Sequence, residues 1–79
     1  RVMKEVLEHI LKGIVREPDL IKVTDTTDEN GNRVFEIRAS ESDVGQIIGK
    51  DGRTIKSINV LMNALAGSSK ESFILKVVR

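Results

Sequence analysis

Ile47-Ile48-Gly49-Lys50-Asp51-Gly52-Arg53-Thr54-Ile55 is the stretch that decides the fold, because two glycines bracket a turn between apolar runs. Apolar residues on both sides recur at the three-to-four spacing of a buried helical face, namely Val44, Ile47, Ile48, Ile55 and Ile58. Glycine has no Cβ, so the chain can turn sharply there and approach another molecule closely. The stretch is therefore predicted to form a helix, a four-residue turn and a second helix.

The start of the second helix is expected to attract anions. Its first N–H groups have no partners within the helix, and the helix dipole adds positive potential there. Lys50, Arg53 and Lys56 outweigh Asp51, so residues 49–56 carry a formal charge of +2, three basic residues against one acidic. Phosphate suits such a site well. The turn is therefore a predicted phosphate site.

One helix and one strand are predicted near the start of the chain. Apolar residues at helical spacing over residues 2–15 indicate an amphipathic helix. Glu17-Pro18 should end it, because proline disfavours the helical conformation in the residue before it. A short first strand is then predicted to begin with Leu20, Ile21 and Val23.

A hairpin and a second strand follow in the prediction. The polar run of residues 25–32 contains Asn30-Gly31, a strong hairpin signal, and its acidic residues 25–29 form the expected solvated tip. Residues 33–39 alternate between two faces. The face that is expected to pack in the core carries Phe35, Ile37 and Ala39, and the other carries Val34, Glu36 and Arg38.

The rest of the chain is predicted to add two helices and a strand. Ser40 and Asp43 form a start signal for a helix over about residues 41–48. The helix after the turn should cover residues 52–66 and stop at Gly67. Its core stripe is expected to consist of Ile55, Ile58, Leu61, Met62 and Leu65. A loop over residues 68–71 then precedes a last strand over residues 72–78, with one face formed by Phe73, Leu75 and Val77.

This order of elements predicts a two-layer α+β fold in a single domain over residues 1–79. The hairpin makes the first two strands antiparallel. The two-helix crossover returns the chain for a third strand parallel to its neighbour, with a right-handed connection. The three-stranded mixed sheet should carry all helices on one face.

The glycine-bracketed turn also resembles a known family. Ile48-Gly49-Lys50-Asp51-Gly52, followed by Arg53-Thr54-Ile55, is similar to the I-G-x-x-G-x-x-I core of a KH domain, and the element order resembles the type II, prokaryotic, KH topology. KH domains clamp about four unpaired nucleotides against this loop. The resemblance implies single-stranded RNA as the partner. The residues that it implies as contacts are Val44, Gly45, Ile47, Ile48, Gly49, Lys50, Asp51, Gly52, Arg53, Ile55 and Lys56, together with Ile37 and Arg38 on the central strand.

Size and motif together resemble the KhpA-type family of small bacterial KH proteins. That resemblance implies an RNA chaperone or post-transcriptional regulator that is linked to cell-envelope and cell-length control. It also implies a homodimer, or a heterodimer with a KhpB/Jag-type KH protein. The third helix offers a small second patch as a candidate dimer contact, formed by Val60, Asn63 and Ala64. The alternative is that Val60 and Ala64 are ordinary exposed apolar residues.

Composition excludes several other functions. The net charge of +1, from 13 basic and 12 acidic residues, provides no global field for indiscriminate nucleic-acid binding. The two aromatic residues, Phe35 and Phe73, are too few for an exposed stacking platform. Without cysteine, and with His9 as the only histidine, no metal site, cofactor or catalytic constellation is predicted. Since no stretch is long enough to span a membrane, a cytoplasmic protein is expected. The competing class is a protein-interaction module that uses the same fold with weak or no RNA binding.

Overall fold

A computed structural model describes residues 2–67 and 73–79 of the chain. The helices and strands follow the predicted order of helix, strand, strand, helix, helix, strand. In chain order they are α1 (Val2–Lys12), β1 (Lys22–Thr27), β2 (Arg33–Arg38), α2 (Glu41–Ile48), α3 (Arg53–Leu65) and β3 (Phe73–Val77).

The sheet has the order β1-β2-β3, so β2 is its central strand and β3 an edge strand. β1 pairs antiparallel with β2, with Val23 opposite Ile37. β3 pairs parallel with β2, with Val34 opposite Ile74. The three-stranded mixed sheet of an α+β fold, predicted from the order of elements, is confirmed.

A single core lies between one face of the sheet and all three helices. The Phe35 and Phe73 rings stack with centroids 5.3 Å apart and anchor the sheet side of this core. The helices contribute Leu7 and Leu11 from α1, Ile47 from α2, and Ile58 and Met62 from α3. Strand residues alternate between the two faces. Val34, Glu36 and Arg38 of β2 therefore lie on the opposite face, which the helices leave uncovered.

The first helix is shorter than predicted. It ends at Lys12, and the Gly13 amide donates to the carbonyl oxygens of His9 and Ile10 at 3.3 and 3.1 Å. Glycine disfavours helix by about 1 kcal/mol relative to alanine, which explains why the helix stops here and not at Pro18. Pro18–Leu20 forms a separate 3₁₀ turn. Leu20, expected in the first strand, lies in that turn and is exposed.

The first strand reaches further into the polar run than predicted. Asp25 lies within β1 and forms an ion pair with Arg33 at 2.7 Å, so the loop tip is confined to residues 28–32. There the Asp28 carboxylate accepts hydrogen bonds from the amides of Asn30 and Asn32, at 2.9 and 2.8 Å. Gly31 has a φ of 82°, but Asn30 does not have a positive φ. The Asn30-Gly31 signal therefore marks a five-residue loop and not a two-residue turn.

The third helix differs from the prediction on one side. Ile58 and Met62 are core residues as predicted, but Leu61 is 45% and Leu65 55% exposed. Gly67 has the positive φ, 68°, that was expected of the residue that stops the helix. The predicted loop over residues 68–71, and the predicted strand start at residue 72, lie outside the described residues.

Candidate nucleic-acid interface

The turn between α2 and α3 depends on three residues with positive φ. Gly49 has φ 77° and ψ 170°, a region that is essentially restricted to glycine. Asp51 (57°, 25°) and Gly52 (73°, 16°) have the angles of the two central residues of a type I′ turn. The Arg53 amide closes that turn on the Lys50 carbonyl. Asp-Gly is a preferred pair for this turn type, which gives Asp51 a conformational reason to be there.

Of the four amides of residues 50–53, the main-chain donors of the predicted phosphate site, two are already used by the turn itself. The Gly52 amide donates to the Gly49 carbonyl at 3.1 Å, and the Arg53 amide to that of Lys50. The amides of Lys50 and Asp51 take part in neither of these two turn bonds. Both residues are exposed, as is Arg53. The main-chain donors that remain for the expected phosphate contact are therefore the amides of Lys50 and Asp51, at the tip of the turn.

One cleft lies beside this turn and another lies towards the start of α2, and both have the β3 side of the sheet as a wall. The first lies between the turn, α3 and β3, and it is lined by Asp51, Gly52, Ile55, Lys56, Asn59, Val60 and Leu75. The second lies between the start of α2 and the segment that follows β3, and it is lined by Ala39, Glu41, Ser42, Val44, Gly45, Val78 and Arg79. Six of the predicted contact residues line one cleft or the other: Val44, Gly45, Asp51, Gly52, Ile55 and Lys56.

Three predicted contact residues do not face these clefts. Ile37 and Ile47 are 0% exposed, because both side chains are enclosed in the core. These two side chains therefore do not make the direct base contact that was predicted, and instead support the surface from beneath. Arg38 is exposed, but the alternation of β2 directs it to the helix-free face of the sheet. Of the other four, Ile48 is half-buried at the end of α2, and Gly49, Lys50 and Arg53 lie in the turn or directly after it.

The strand that lines the first cleft is the edge strand β3, and not the central strand, on which contacts at Ile37 and Arg38 were predicted. Leu75, which the sequence analysis did not select as a contact residue, lines the first cleft together with Ile55. The Val78 amide donates to the Ile37 carbonyl at 2.9 Å, so the main-chain groups of Val78 face β2. Main-chain groups of successive strand residues point to alternate sides. Those of Phe73, Leu75 and Val77 therefore point to the free edge.

Asn59 and Asn63 attach α3 to the start of that edge. Asn59 Nδ2 donates to the Phe73 carbonyl at 3.2 Å, and the Phe73 amide donates to Asn63 Oδ1 at 3.3 Å. Asn63 Nδ2 also donates to Asn59 Oδ1 at 2.6 Å. Asn63, expected at a dimer contact, is thus half-buried and bonded within its own chain.

The exposed apolar residues of α3 form a larger patch than predicted. Val60 is 66% exposed and Ala64 is also exposed, as expected of the second patch. Leu61 and Leu65 join them, since the core does not cover these two side chains. Positions 60, 61, 64 and 65 are neighbours on one side of a helix. We call these four residues the α3 stripe.

A buried carboxylate fixes the start of α2. Asp43 is 1% exposed and accepts hydrogen bonds from the amides of Arg16 and Glu17, both at 3.0 Å, and from Ser40 Oγ at 2.9 Å. The bond from the Arg16 amide, with those from Glu17 and Ser40, holds the pKa of Asp43 below its usual value against the effect of burial. The sequence pattern predicted the helix start at this place. The Ser40 side chain, however, caps no helix amide and bonds to Asp43 and Ser42.

The described residues hold no metal-type cluster and no membrane span. Over residues 2–67 and 73–79, no group of three or more histidine, cysteine, aspartate or glutamate side chains is arranged to hold an ion. In the same part of the chain, no helix has both the length and the apolar character needed to cross a membrane.

Comparison with known proteins identifies close relatives of the chain. The family model described as KhpA/KhpB, KH domain, matches residues 4–77. A Thermotoga maritima protein named RNA-binding protein KhpA is 57% identical over 77 residues, which cover 98% of this chain and 100% of the relative. Proteins of the same name from Streptomyces coelicolor and Chlamydia trachomatis are 38% and 33% identical. The first match covers 84% of this chain and 82% of the relative, and the second covers 96% of each.

One solved structure shares the fold. A crystal structure of Aquifex aeolicus Era superposes with a TM-score of 0.62 and 23% sequence identity. The match covers 98% of this chain but only 31% of the Era chain, so it concerns one part of a longer protein. At this identity the likeness shows the shared fold and nothing about activity.

Proposed function

Because this chain belongs to the KhpA/KhpB family of KH domains, we propose that it binds single-stranded RNA. The relatives that cover its length carry RNA binding in their names, and the family is not one of enzymes. The observation that carries the proposal is the exposed turn, with the amides of Lys50 and Asp51 at its tip, beside a cleft that ends on the free edge of β3.

Phosphates would be held at the tip of the turn. The amides of Lys50 and Asp51 donate to phosphate oxygens, and the Lys50 and Arg53 side chains add positive charge. Gly45 allows close approach, since a Cβ built there would meet nothing within 4 Å. An RNA backbone can therefore run along α2 to the turn without meeting a side chain at that point.

Bases would lie on aliphatic surface beside the turn. Ile55 and Leu75 provide that surface in the first cleft, whereas Val44 in the second cleft is only 5% exposed and adds little. The main-chain groups of Leu75 at the free edge can hydrogen-bond the edges of a base. The described residues that line the two clefts include no aromatic side chain, so the preference for one base over another should be weak.

One domain alone would bind weakly. With two or three phosphates neutralised, we expect a Kd near about 10⁻⁶ M, the tighter end of the range for nonspecific contacts. Two linked sites bind one strand far more tightly, because the second contact is intramolecular. A dimer would provide such a second site.

We propose a homodimer through the α3 stripe. Val60, Leu61, Ala64 and Leu65 are uncharged, so two copies of the stripe can face each other about a two-fold axis without burying charge. The small Ala64 allows two helices to approach closely at its position. A heterodimer with a KhpB/Jag-type KH domain would use the same stripe, and the two assemblies would compete for it.

The wider role is proposed from the family resemblance alone. We propose that the protein acts in the cytoplasm as an RNA chaperone or post-transcriptional regulator, with an effect on the cell envelope and on cell length. Loose sequence preference and a paired site suit that role, because a chaperone must bind many RNAs and release them.

The central experiment is a titration of short unpaired RNA at several salt concentrations. The substitution Lys50→Asp should weaken binding by about tenfold or more, since it reverses the charge at the proposed phosphate site. The control is Lys12→Asp, which makes the same change at an exposed position on α1. Melting curves check that both variants fold.

Two results would contradict RNA binding at the turn. If Lys50→Asp and Lys12→Asp weakened binding equally, the turn would have no special part. If the parent protein bound no RNA even at low salt, the alternative of a protein-interaction module would replace the proposal.

A further inference from the structure

The helix-free face of the sheet carries an unusual arrangement of charge. Its residues follow from strand alternation and from the register of the sheet. They are Lys22, Thr24 and Thr26 from β1, Val34, Glu36 and Arg38 from β2, and Ile74 and Lys76 from β3. The core cluster takes its strand residues from the opposite face, so no helix in the described part of the chain packs here.

Lys22 and Arg38 lie directly opposite each other on β1 and β2. Like charges at directly opposite positions destabilise a sheet, because their Cβ atoms are only about 5 Å apart. Glu36 is the one carboxylate among the eight residues, and it lies opposite Lys76. Three basic residues against one acidic residue give the face a net charge of +2.

The cations on this face lack close partners. Among the described residues the ion pair within 4 Å is that of Arg33 with Asp25, which lie on the other side of the sheet. Asp28, at the hairpin end, lines one cleft on this side together with Glu36 and Lys76. Lys22 and Arg38 lie at the other end of both strands. The two cations without a carboxylate opposite them, Lys22 and Arg38, are therefore paired at the end away from the hairpin.

The helix-free face and the proposed RNA groove meet at the edge strand β3. Leu75 lines the first cleft on the helix side, and the next residue, Lys76, points to the helix-free side. A strand that leaves the groove over the free edge of β3 reaches Lys76 first. From Lys76 the Cα atoms of Arg38 and Lys22 are within about 12 Å, by the spacing of strands and of residues within a strand.

We propose that the helix-free face is a second contact surface for the RNA backbone, used by a strand that passes from the groove over the β3 edge. The inference rests on the proposed RNA binding, and it extends the path of the same strand. Lys22, Arg38 and Lys76 bind phosphate, and the exposed Thr24 hydroxyl adds a donor. These contacts are made to phosphate groups and not to bases. They therefore lengthen the bound RNA segment without adding a preference for a particular sequence.

The experiment compares two lengths of unpaired RNA on the full chain. One has about four nucleotides, which a KH groove holds, and the other is about three times as long. The test variant combines Lys22→Thr with Arg38→Thr, because threonine is uncharged and well suited to a strand. The control variant combines Lys4→Gln with Lys12→Gln on α1 and removes the same charge. Melting curves and circular dichroism report whether each variant folds.

The test variant should bind the short RNA as the parent does, and the long RNA about tenfold more weakly. The slope of log K against log salt for the long RNA should fall by about 1.4, the value for two lost contacts to a single strand. The control variant should change neither quantity by a comparable amount.

Other outcomes separate this proposal from the one on which it rests. Equal losses with short and long RNA, or equal losses in test and control variants, would show a diffuse charge effect and overturn the second surface. If the parent bound the long RNA but not the short one, and the test variant lost that binding, the groove would fail and the helix-free face would stand. If the parent bound neither RNA, both proposals would fail.

Discussion

Gly49 and Thr54 are in contact across the turn, so closely that residue 49 has no room for a side chain. A Cβ built on Gly49 would lie 2.6 Å from the Cβ of Thr54 and 2.8 Å from its backbone nitrogen, and closer still to the Thr54 hydroxyl. Real Cβ atoms essentially never come within 3.0 Å of other heavy atoms. The close approach sets where α3 begins relative to the end of α2.

The substitution Gly49→Ala should destabilise the protein by about 3 kcal/mol, because a restricted backbone conformation and a steric clash act together. Denaturant unfolding measures the change. The matched control is Gly45→Ala within α2, where a Cβ meets open space. It should stabilise the protein by about 0.5–1 kcal/mol and still weaken RNA binding. Similar stability for both variants would show that the Gly49–Thr54 contact does not constrain the turn.

A substitution can test the effect of the Asp51 charge while the backbone conformation of that residue is kept. Asparagine also adopts the left-handed conformation, and Asn-Gly forms type I′ turns, so Asp51→Asn should keep the stability of the parent. It removes a negative charge beside the proposed phosphate site. We therefore expect RNA to bind about two- to fivefold more tightly, as measured by fluorescence anisotropy. Unchanged affinity would mean that no phosphate lies near residue 51.

A dimer formed through the α3 stripe should give the protein the mass of two chains in solution. Combining Val60→Glu with Leu61→Glu places two charges in the proposed dimer contact, and light scattering should then give the mass of one chain where the parent gives two. The control is Lys12→Glu on α1. A monomeric parent, or an equal mass for parent and stripe variant, would remove the stripe as a contact between copies.

Asp43 predicts how stability depends on pH. Its pKa is lowered below 3.8 in the folded protein, so the unfolded chain binds the proton more readily. The stabilisation is therefore complete well above pH 3.8 and is lost as the pH falls through the lowered pKa. Asp43→Asn should be less stable than the parent near neutral pH, with the difference shrinking in acid. A difference that stayed constant in urea unfolding at all pH values would argue against this role of the carboxylate.

The sequence predicted the region around α2 and the turn well, because several local signals agree there. The helix start at Ser40 and Asp43, the apolar spacing and the two glycines all point to one structure, and α2 has the predicted bounds. The left-handed Asp51 was missed, although an Asp-Gly pair is itself a signal for a type I′ turn.

The tertiary arrangement was harder to predict from residue patterns. Leu61 and Leu65 have apolar side chains at helical spacing, but the core packs against Ile58 and Met62 and leaves Leu61 and Leu65 exposed. Ile37 and Arg38 were selected because the central strand was taken as the wall of the groove. The strand order places β3 at the edge of the sheet, so the main-chain groups of Leu75 point to that free edge. Strand alternation alone already indicates that Ile37 and Arg38 face opposite sides of the sheet.

The asparagine pair of α3 protects only the first residue of β3. Asn59 and Asn63 satisfy the outward main-chain groups of Phe73, whereas those of Leu75 and Val77 have no neighbouring strand among the described residues. An open strand edge is a template on which other chains aggregate, and a lysine such as Lys76 is a common safeguard against it. A nucleic acid seated on that edge would block the same hydrogen-bonding groups. The protein should therefore aggregate more slowly in the presence of its ligand than alone.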